Sequence, residues 1–145
     1  MATYASIKYD MTLSSNATGG GSLVLLSTQT ASSSSTISFT SNIDSTYDAY
    51  MFKFYDIHAG TQNALFQVGF RDGGTDYDAT KTTTLFGAYQ YEDNNSQGLG
   101  YRSSRDLAQS TSFQDLIQYA LISDGNDSCL VGTLHLFNPS STTFV

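Results

Sequence analysis

Apolar and polar residues alternate with a period of two along most of the chain, and this alternation predicts β-strands. The clearest segment is residues 47–60, where the aromatic side chains of Tyr50, Phe52 and Phe54 share one parity. The opposite parity carries a mixed set that we expect to face outward: Met51, Lys53, Tyr55 and Ile57. A strand with an aromatic inner face is therefore predicted here.

Three later segments repeat this alternation. In residues 64–74 the inward set is Phe66, Val68 and Phe70, opposed to Gln67, Gly69 and Arg71. In residues 83–93 one parity holds Phe86 and Ala88 and the other holds Leu85, Tyr89 and Tyr91. In residues 129–137 one parity holds Leu130, Gly132, Leu134 and Leu136. A turn is predicted at residues 138–141, followed by a last strand that has barely started at Val145.

Two strands are also predicted before residue 47, over residues 22–30 and 36–40. Between them lies a run of five small residues, 31–35, of which the last four are serines. Five such residues are typical of a bend between neighbouring strands, whereas a flexible linker is normally longer and separates domain-sized blocks. We therefore expect one continuous body here.

Residues 113–122 fit two periods. Phe113, Leu116 and Ile117 have helical spacing, and Ser112 is placed to cap a first turn. A strand reading instead groups Phe113, Ile117, Tyr119 and Leu121 on one face. The predicted strands on both sides favour the strand, although the helix remains an alternative.

Together these segments predict an all-β fold of some eight to ten short strands, an antiparallel two-sheet β-sandwich of jelly-roll type. The domain is predicted to span residues 22–145. Residues 1–21 are predicted to be a short N-terminal arm, joined to the body by a glycine-rich stretch that ends in three successive glycines.

Composition supports this fold class and limits the partners. The chain has 10 Tyr and 9 Phe but one Pro and no Trp, and β-favouring residues are abundant. Its net charge of -7 disfavours nucleic acid as a partner, because a phosphate backbone would be repelled. No apolar run approaches the length of a membrane span, so we expect no membrane insertion. The only cysteine, Cys129, is expected in the apolar core.

The sequence contains few candidates for catalysis or metal binding. Asp72, Asp76 and Asp78 lie in a glycine-rich turn and are weak candidates for a calcium site, but their spacing does not fit an EF-hand. A solvated hairpin turn is the simpler interpretation. His135 is expected on the outer face of its strand, and no nucleophile elbow, phosphate loop or dinucleotide fingerprint occurs. We predict no enzyme activity and no cofactor.

Tyrosine is the residue type best suited to contacts in this chain, because it offers a large area at little entropic cost. The candidate contact residues for a partner or a glycan are Tyr4, Tyr9, Tyr89 and Tyr91. Exposed tyrosines beside Asp, Asn and Gln fit one possible function, carbohydrate recognition.

Four stretches carry a family resemblance: residues 36–60, 70–84, 107–116 and 132–145. They resemble segments of uncharacterised structural proteins of marine tailed phages, particularly cyanophages, and the similarity spans residues 22–145. The resemblance implies a virion component on the outer surface of the particle, assembled in the host cytoplasm. It implies a homo-oligomeric tail fibre or appendage, or a capsid decoration protein, with copies of itself and other virion proteins as partners. In related sequences the last predicted strand is followed by more chain.

Overall fold

The computed structural model describes residues 23–117 and 128–141. Within these ranges the fold is all-β, as predicted, apart from one turn of 3-10 helix at Ser103–Arg105. The strands, in chain order, are β1 (Ala49–Ile57), β2 (Gln67–Val68), β3 (Lys81–Thr83), β4 (Phe86–Gln90), β5 (Gln97–Tyr101), β6 (Leu107–Ser110), β7 (Gln114–Asp115) and β8 (Leu130–Phe137).

The strands form four antiparallel pairs, and the pairs are nested within one another. β4 pairs with β5, β3 with β6, β2 with β7, and β1 with β8. The β4–β5 hairpin is innermost. The β3–β6 pair encloses it, β2–β7 encloses β3–β6, and β1–β8 encloses all of them. The antiparallel arrangement agrees with the prediction.

The β1–β8 ladder confirms the predicted inner face of residues 47–60. Tyr50 lies opposite Leu136, and Phe52 lies opposite Leu134. Tyr50 is buried and Phe52 and Phe54 are half-buried, whereas the residues between them are exposed. Gly132 is exposed, unlike Leu134 and Leu136 of the same parity.

The outward placement predicted for Ile57 is wrong. The register shifts between Phe54 and Ile57, and Asp56 adopts a positive φ of 53°. This irregularity adds a residue to the β1 side of the ladder, and an added residue reverses which face the following side chain occupies. Ile57 is consequently half-buried.

Aromatic side chains cover the inner face of β1. Phe39 meets Phe52 edge to face at a centroid distance of 5.5 Å. Phe54 meets Phe66 in the same way at 5.1 Å. Tyr50 is the one buried hydrophobic residue of the described ranges, and its hydroxyl donates to the carbonyl of Asp44 at 2.8 Å. Among the described residues the core is therefore a thin aromatic layer rather than a filled interior.

The two strands predicted before residue 47 are wrong over the residues described. Residues 23–48 form no strand, and the apolar side chains of Leu23 and Leu25 are 81% and 82% exposed. The backbone does bend within residues 31–35, with Ser33 at φ 49°, but the bend joins no strands as predicted. Hydroxyl groups bond to the local backbone here, as in the 2.7 Å bond from Ser34 to the Thr36 carbonyl, and such bonds compete with strand pairing.

Two further predictions are met in part. Asn138 and Ser141 close the predicted turn through a 3.0 Å backbone hydrogen bond. The strand reading of residues 113–122 holds only for the two residues of β7; residues 116 and 117 form a bend, and residues 118–122 lie outside the described part of the chain. The N-terminal arm 1–21 and the last strand near Val145 also lie outside them.

Candidate functional site

The three carboxylates of the predicted metal loop lie in an exposed turn. Asp72, Asp76 and Asp78 are all exposed, and the loop is closed by a 3.1 Å hydrogen bond from the Ala79 amide to the Phe70 carbonyl. Among residues 23–117 and 128–141, no three His, Cys, Asp or Glu side chains come together to hold a metal ion. The structure therefore does not assemble the weak calcium candidate into a site.

Two of the four predicted contact tyrosines lie together on the β4–β5 hairpin. The rings of Tyr89 and Tyr91 are tilted at 52° with their centroids 5.7 Å apart. Tyr91 is 48% exposed, and Tyr89 is half-buried. Tyr4 and Tyr9 lie outside the described residues.

Polar residues form the hairpin turn next to this tyrosine pair, and the Ser96 hydroxyl lies 3.5 Å from the Tyr89 hydroxyl. Gln90 donates to the side-chain oxygen of Asn94 at 2.7 Å, and the Tyr91 amide donates to the Ser96 carbonyl at 2.8 Å. Asn94 takes a left-handed conformation, φ 57°, which asparagine tolerates well in turns. Hydrogen bonds from Asn95 hold the pKa of the Asp93 carboxyl below its usual value.

A glycine sets the position of the Tyr89 ring. Tyr89 lies opposite Gly98 in the ladder, and a Cβ at Gly98 would stand 2.6 Å from the Tyr89 ring. The absence of a side chain lets the ring lie over the neighbouring strand. The guanidinium of Arg102 lies 5.7 Å from the same ring centroid, within the range of a cation–π contact.

The opposite face of the hairpin is apolar and exposed. Phe86 lies opposite Tyr101, and Ala88 lies opposite Leu99. Phe86 is 67% exposed, Leu99 73% and Tyr101 57%. The hairpin thus has a half-buried tyrosine side and an exposed apolar side.

Asp106 fixes the end of this apolar side. Its carboxylate accepts hydrogen bonds from the Tyr101 hydroxyl and, at 3.1 Å, from the Leu85 amide. The bond to Asp106, together with desolvation, raises the pKa of Tyr101. The neutral phenol is therefore the form that the fold favours.

A network of polar side chains joins the β2–β7 and β3–β6 pairs, and two of its members are buried. The sequence did not predict this network. Gln114 and Asp115 are only 7% and 8% exposed. Asp115 accepts from Arg105 at 2.6 Å and from Gln67 at 2.7 Å. Gln114 accepts from the hydroxyl of Thr83 and donates to the Arg105 carbonyl at 3.3 Å. We call these five residues the polar clasp.

The remaining reactive side chains are scattered. His135 is exposed as predicted and stacks on Phe137 at a centroid distance of 6.0 Å. His58 bonds to Asp56 at 2.9 Å at the end of β1. Cys129 is exposed, so its predicted place in the core is wrong: it precedes β8, where the ladder does not yet cover it.

Shallow hollows flank the β1–β8 ladder. One of about 220 Å³ is lined by Lys53, Phe54, Tyr55, Val131, Gly132 and Thr133. A second, of about 120 Å³, lies on the Phe54 and Phe66 side. No helix in the described part of the chain has the length and apolar character needed to cross a bilayer.

No family model, curated protein or solved structure matches the chain.

The polar clasp makes a prediction about stability. Arg105→Ala leaves the buried Asp115 carboxylate without its cation, which should lower the free energy of unfolding by about 2–3 kcal/mol. Arg71→Ala is the matched control, since it removes the same charge from an exposed side chain and should cost less than about 1 kcal/mol. Urea unfolding of the three proteins measures both, and equal losses would contradict the role of the clasp.

The Tyr101–Asp106 bond makes a prediction about pH. Because the pKa of Tyr101 is raised on folding, the bond stabilises the fold below the ordinary tyrosine pKa of about 10 and loses that effect as the pH rises through the raised pKa. Ultraviolet titration should show a late phase from Tyr101, which Asp106→Asn shifts to lower pH. Asp48→Asn is the control and should leave that titration unchanged.

Proposed function

We propose that this protein is a structural component of a tailed phage virion, either an oligomeric tail fibre or appendage protein or a capsid decoration protein. The resemblance of residues 22–145 to structural proteins of marine phages supports this role. In this role the chain binds copies of itself and other virion proteins, and it lies on the outer surface of the particle.

The observation that carries the proposal is the distribution of apolar side chains. Tyr50 is the one buried hydrophobic residue of the described ranges, while large apolar side chains are exposed on more than one face. These include Phe86 and Leu99 on the hairpin and Val131 and Phe137 on β8. Extended exposed apolar surface in a protein usually marks a site where another molecule packs, and assembly into a particle would cover it.

The order of strand pairing supports a jelly-roll sandwich for the finer architecture. A jelly roll is a long antiparallel ribbon rolled into two sheets. In that ribbon the first strand pairs with the last, the second with the second to last, and so on, as the strands do here. Rolling would join the four pairs into sheets of order β1-β8-β3-β6 and β2-β7-β4-β5. Jelly rolls occur in viral capsid proteins and in lectins, so this analogy fits the proposed role without selecting it.

Repetition would supply the strength of attachment. In the proposed assembly, the edges and faces of the body meet copies of the same chain. Many weak contacts held together on one particle bind far more tightly than one contact alone. We propose no catalytic role for the chain.

Purified particles provide the direct test of this role. We expect the chain to be present in phage particles after density-gradient purification, at a constant ratio to the major capsid protein when measured by quantitative mass spectrometry. Antibody labelling of intact particles should then place it on the head or on the tail. Abundant chain in infected cells with none in purified particles would overturn the proposal.

Carbohydrate recognition is the second candidate function, and the Tyr89–Tyr91 pair favours it. The two rings lie together, and the turn that follows them carries the amide side chains of Asn94 and Asn95. Aromatic faces pack against the apolar faces of sugar rings while amides bond to their hydroxyls. A fibre tip could combine this function with the structural one.

Glycan binding would depend on Tyr91. Tyr91→Ala should reduce binding to host surface polysaccharide by about tenfold or more, because one aromatic face is lost. Tyr55→Ala removes a 68% exposed tyrosine from β1 and serves as the matched control. Glycan arrays or calorimetry measure the effect, and equal binding by both variants would rule out a site at this pair.

A further inference from the structure

We propose that the exposed apolar side of the β4–β5 hairpin binds the same side of a second copy of the chain about a two-fold axis. We call this side the hairpin face: Phe86, Ala88, Leu99 and Tyr101, with Gln90 and Gln97 at the turn end. The inference deepens the proposed function, on which it rests, by naming a partner for one surface.

The hairpin needs a covering layer. A two-stranded hairpin is marginally stable by itself in water and gains stability when one face packs against another layer. The tyrosine side contains half-buried residues, including Tyr89 and Gly87. No residue in the described part of the chain buries the hairpin face, since Phe86, Ala88, Leu99 and Tyr101 are all exposed.

The absence of charge on the hairpin face permits a second copy as the occupant. The chain carries a net charge of -7, so two copies repel one another at most orientations. The hairpin face contains no charged side chain among its six residues, and the nearby Asp106 carboxylate is bonded to the Tyr101 hydroxyl at its edge. Two copies can therefore meet here without bringing like charges into direct opposition.

The register of the hairpin makes the face self-complementary. The proposed two-fold axis runs parallel to the strands, lies between the two packed hairpins, and is centred between β4 and β5. It places each residue of one copy over the residue that, in the other copy, pairs with it across the hairpin. Leu99 of each copy then lies over Ala88 of the other, a large side chain over a small one. Phe86 lies over Tyr101, an aromatic pair, and Gln90 lies over Gln97.

The contact is small, and this sets the affinity that we expect. A five-residue strand is about 17 Å long, so the hairpin face covers less than the ~800 Å² per partner of a standard stable interface. We expect a dissociation constant between about 1 μM and 1 mM for the isolated chain. Repetition on a particle would make such a contact effective.

Analytical ultracentrifugation of the purified full chain tests the proposal through an exchange of side chains. Leu99→Ala should weaken dimerisation about tenfold or more, because the large side chain is lost twice in a two-fold interface. Ala88→Leu should also weaken it, since two leucines would then collide, although the change adds apolar surface. The double variant A88L/L99A exchanges large and small side chains and should restore at least part of the dimerisation.

Leu25→Ala is the matched control for these variants. Leu25 is 82% exposed and lies outside the hairpin, so its truncation should leave dimerisation unchanged. Equal weakening by L25A and L99A would show general stickiness and overturn the proposal. A wild-type chain that stays monomeric up to about 1 mM would overturn it as well.

Cross-linking keeps the proposal testable if the Leu99 variants fail to fold. In a Cys129→Ser background, Ala88→Cys places one thiol on the hairpin face. A bismaleimide matched to the ~10 Å spacing of packed sheets should link two copies. Thr75→Cys in the same background carries an exposed thiol in the loop after β2 and should not be linked. Equal linking of both, or of neither, contradicts the proposed axis.

The outcomes of these experiments can be distinguished from the outcome of the particle experiment. A chain present in particles but without Leu99-dependent dimerisation would refute the hairpin contact alone. A chain that dimerises through Leu99 but is absent from particles would refute the virion role alone.

Discussion

The pairing of β1 with β8 is the constraint on which the rest of the described structure depends. Ala49 lies opposite Phe137, so two segments far apart in sequence close the outermost ladder and enclose all the other pairs. Closing so long a loop costs chain entropy, which the ladder offsets through the aromatic contacts of Phe52 and Phe54 with Phe39 and Phe66. The polar clasp adds a second connection, between the β2–β7 and β3–β6 pairs.

The sequence predicted the faces of individual strands better than their partners. Alternation placed Tyr50, Phe52 and Phe54 together because side-chain direction in a strand depends on parity alone. The change of face at Ile57 depended on the backbone of Asp56, which has no signature in the hydrophobic pattern. The strand predicted over residues 22–30 was wrong for a related reason. A strand needs a neighbouring strand to pair with, and an alternating sequence does not show whether one is available.

The candidate sites differ in the same way: some depend on local sequence and others on tertiary contacts. Tyr89 lies in β4 and Tyr91 follows its end, two residues further along, so their proximity could be predicted locally. Asp115 and Gln114 could not be recognised as buried, because in sequence they resemble surface residues of an amphipathic segment. Their burial becomes favourable only when Arg105 and Gln67 arrive from other elements to satisfy them, and contacts of that kind are set by the tertiary fold.

Nesting also dictates an order of events during synthesis on the ribosome. The β4–β5 hairpin has both strands available early, and each enclosing pair must await a later segment, with β8 completing the series. Until β8 has left the ribosome, β1 presents a row of aromatic side chains and unpaired backbone groups to the cell. That interval is when the nascent protein is most exposed to misassociation, so protection by a chaperone would matter most at that stage.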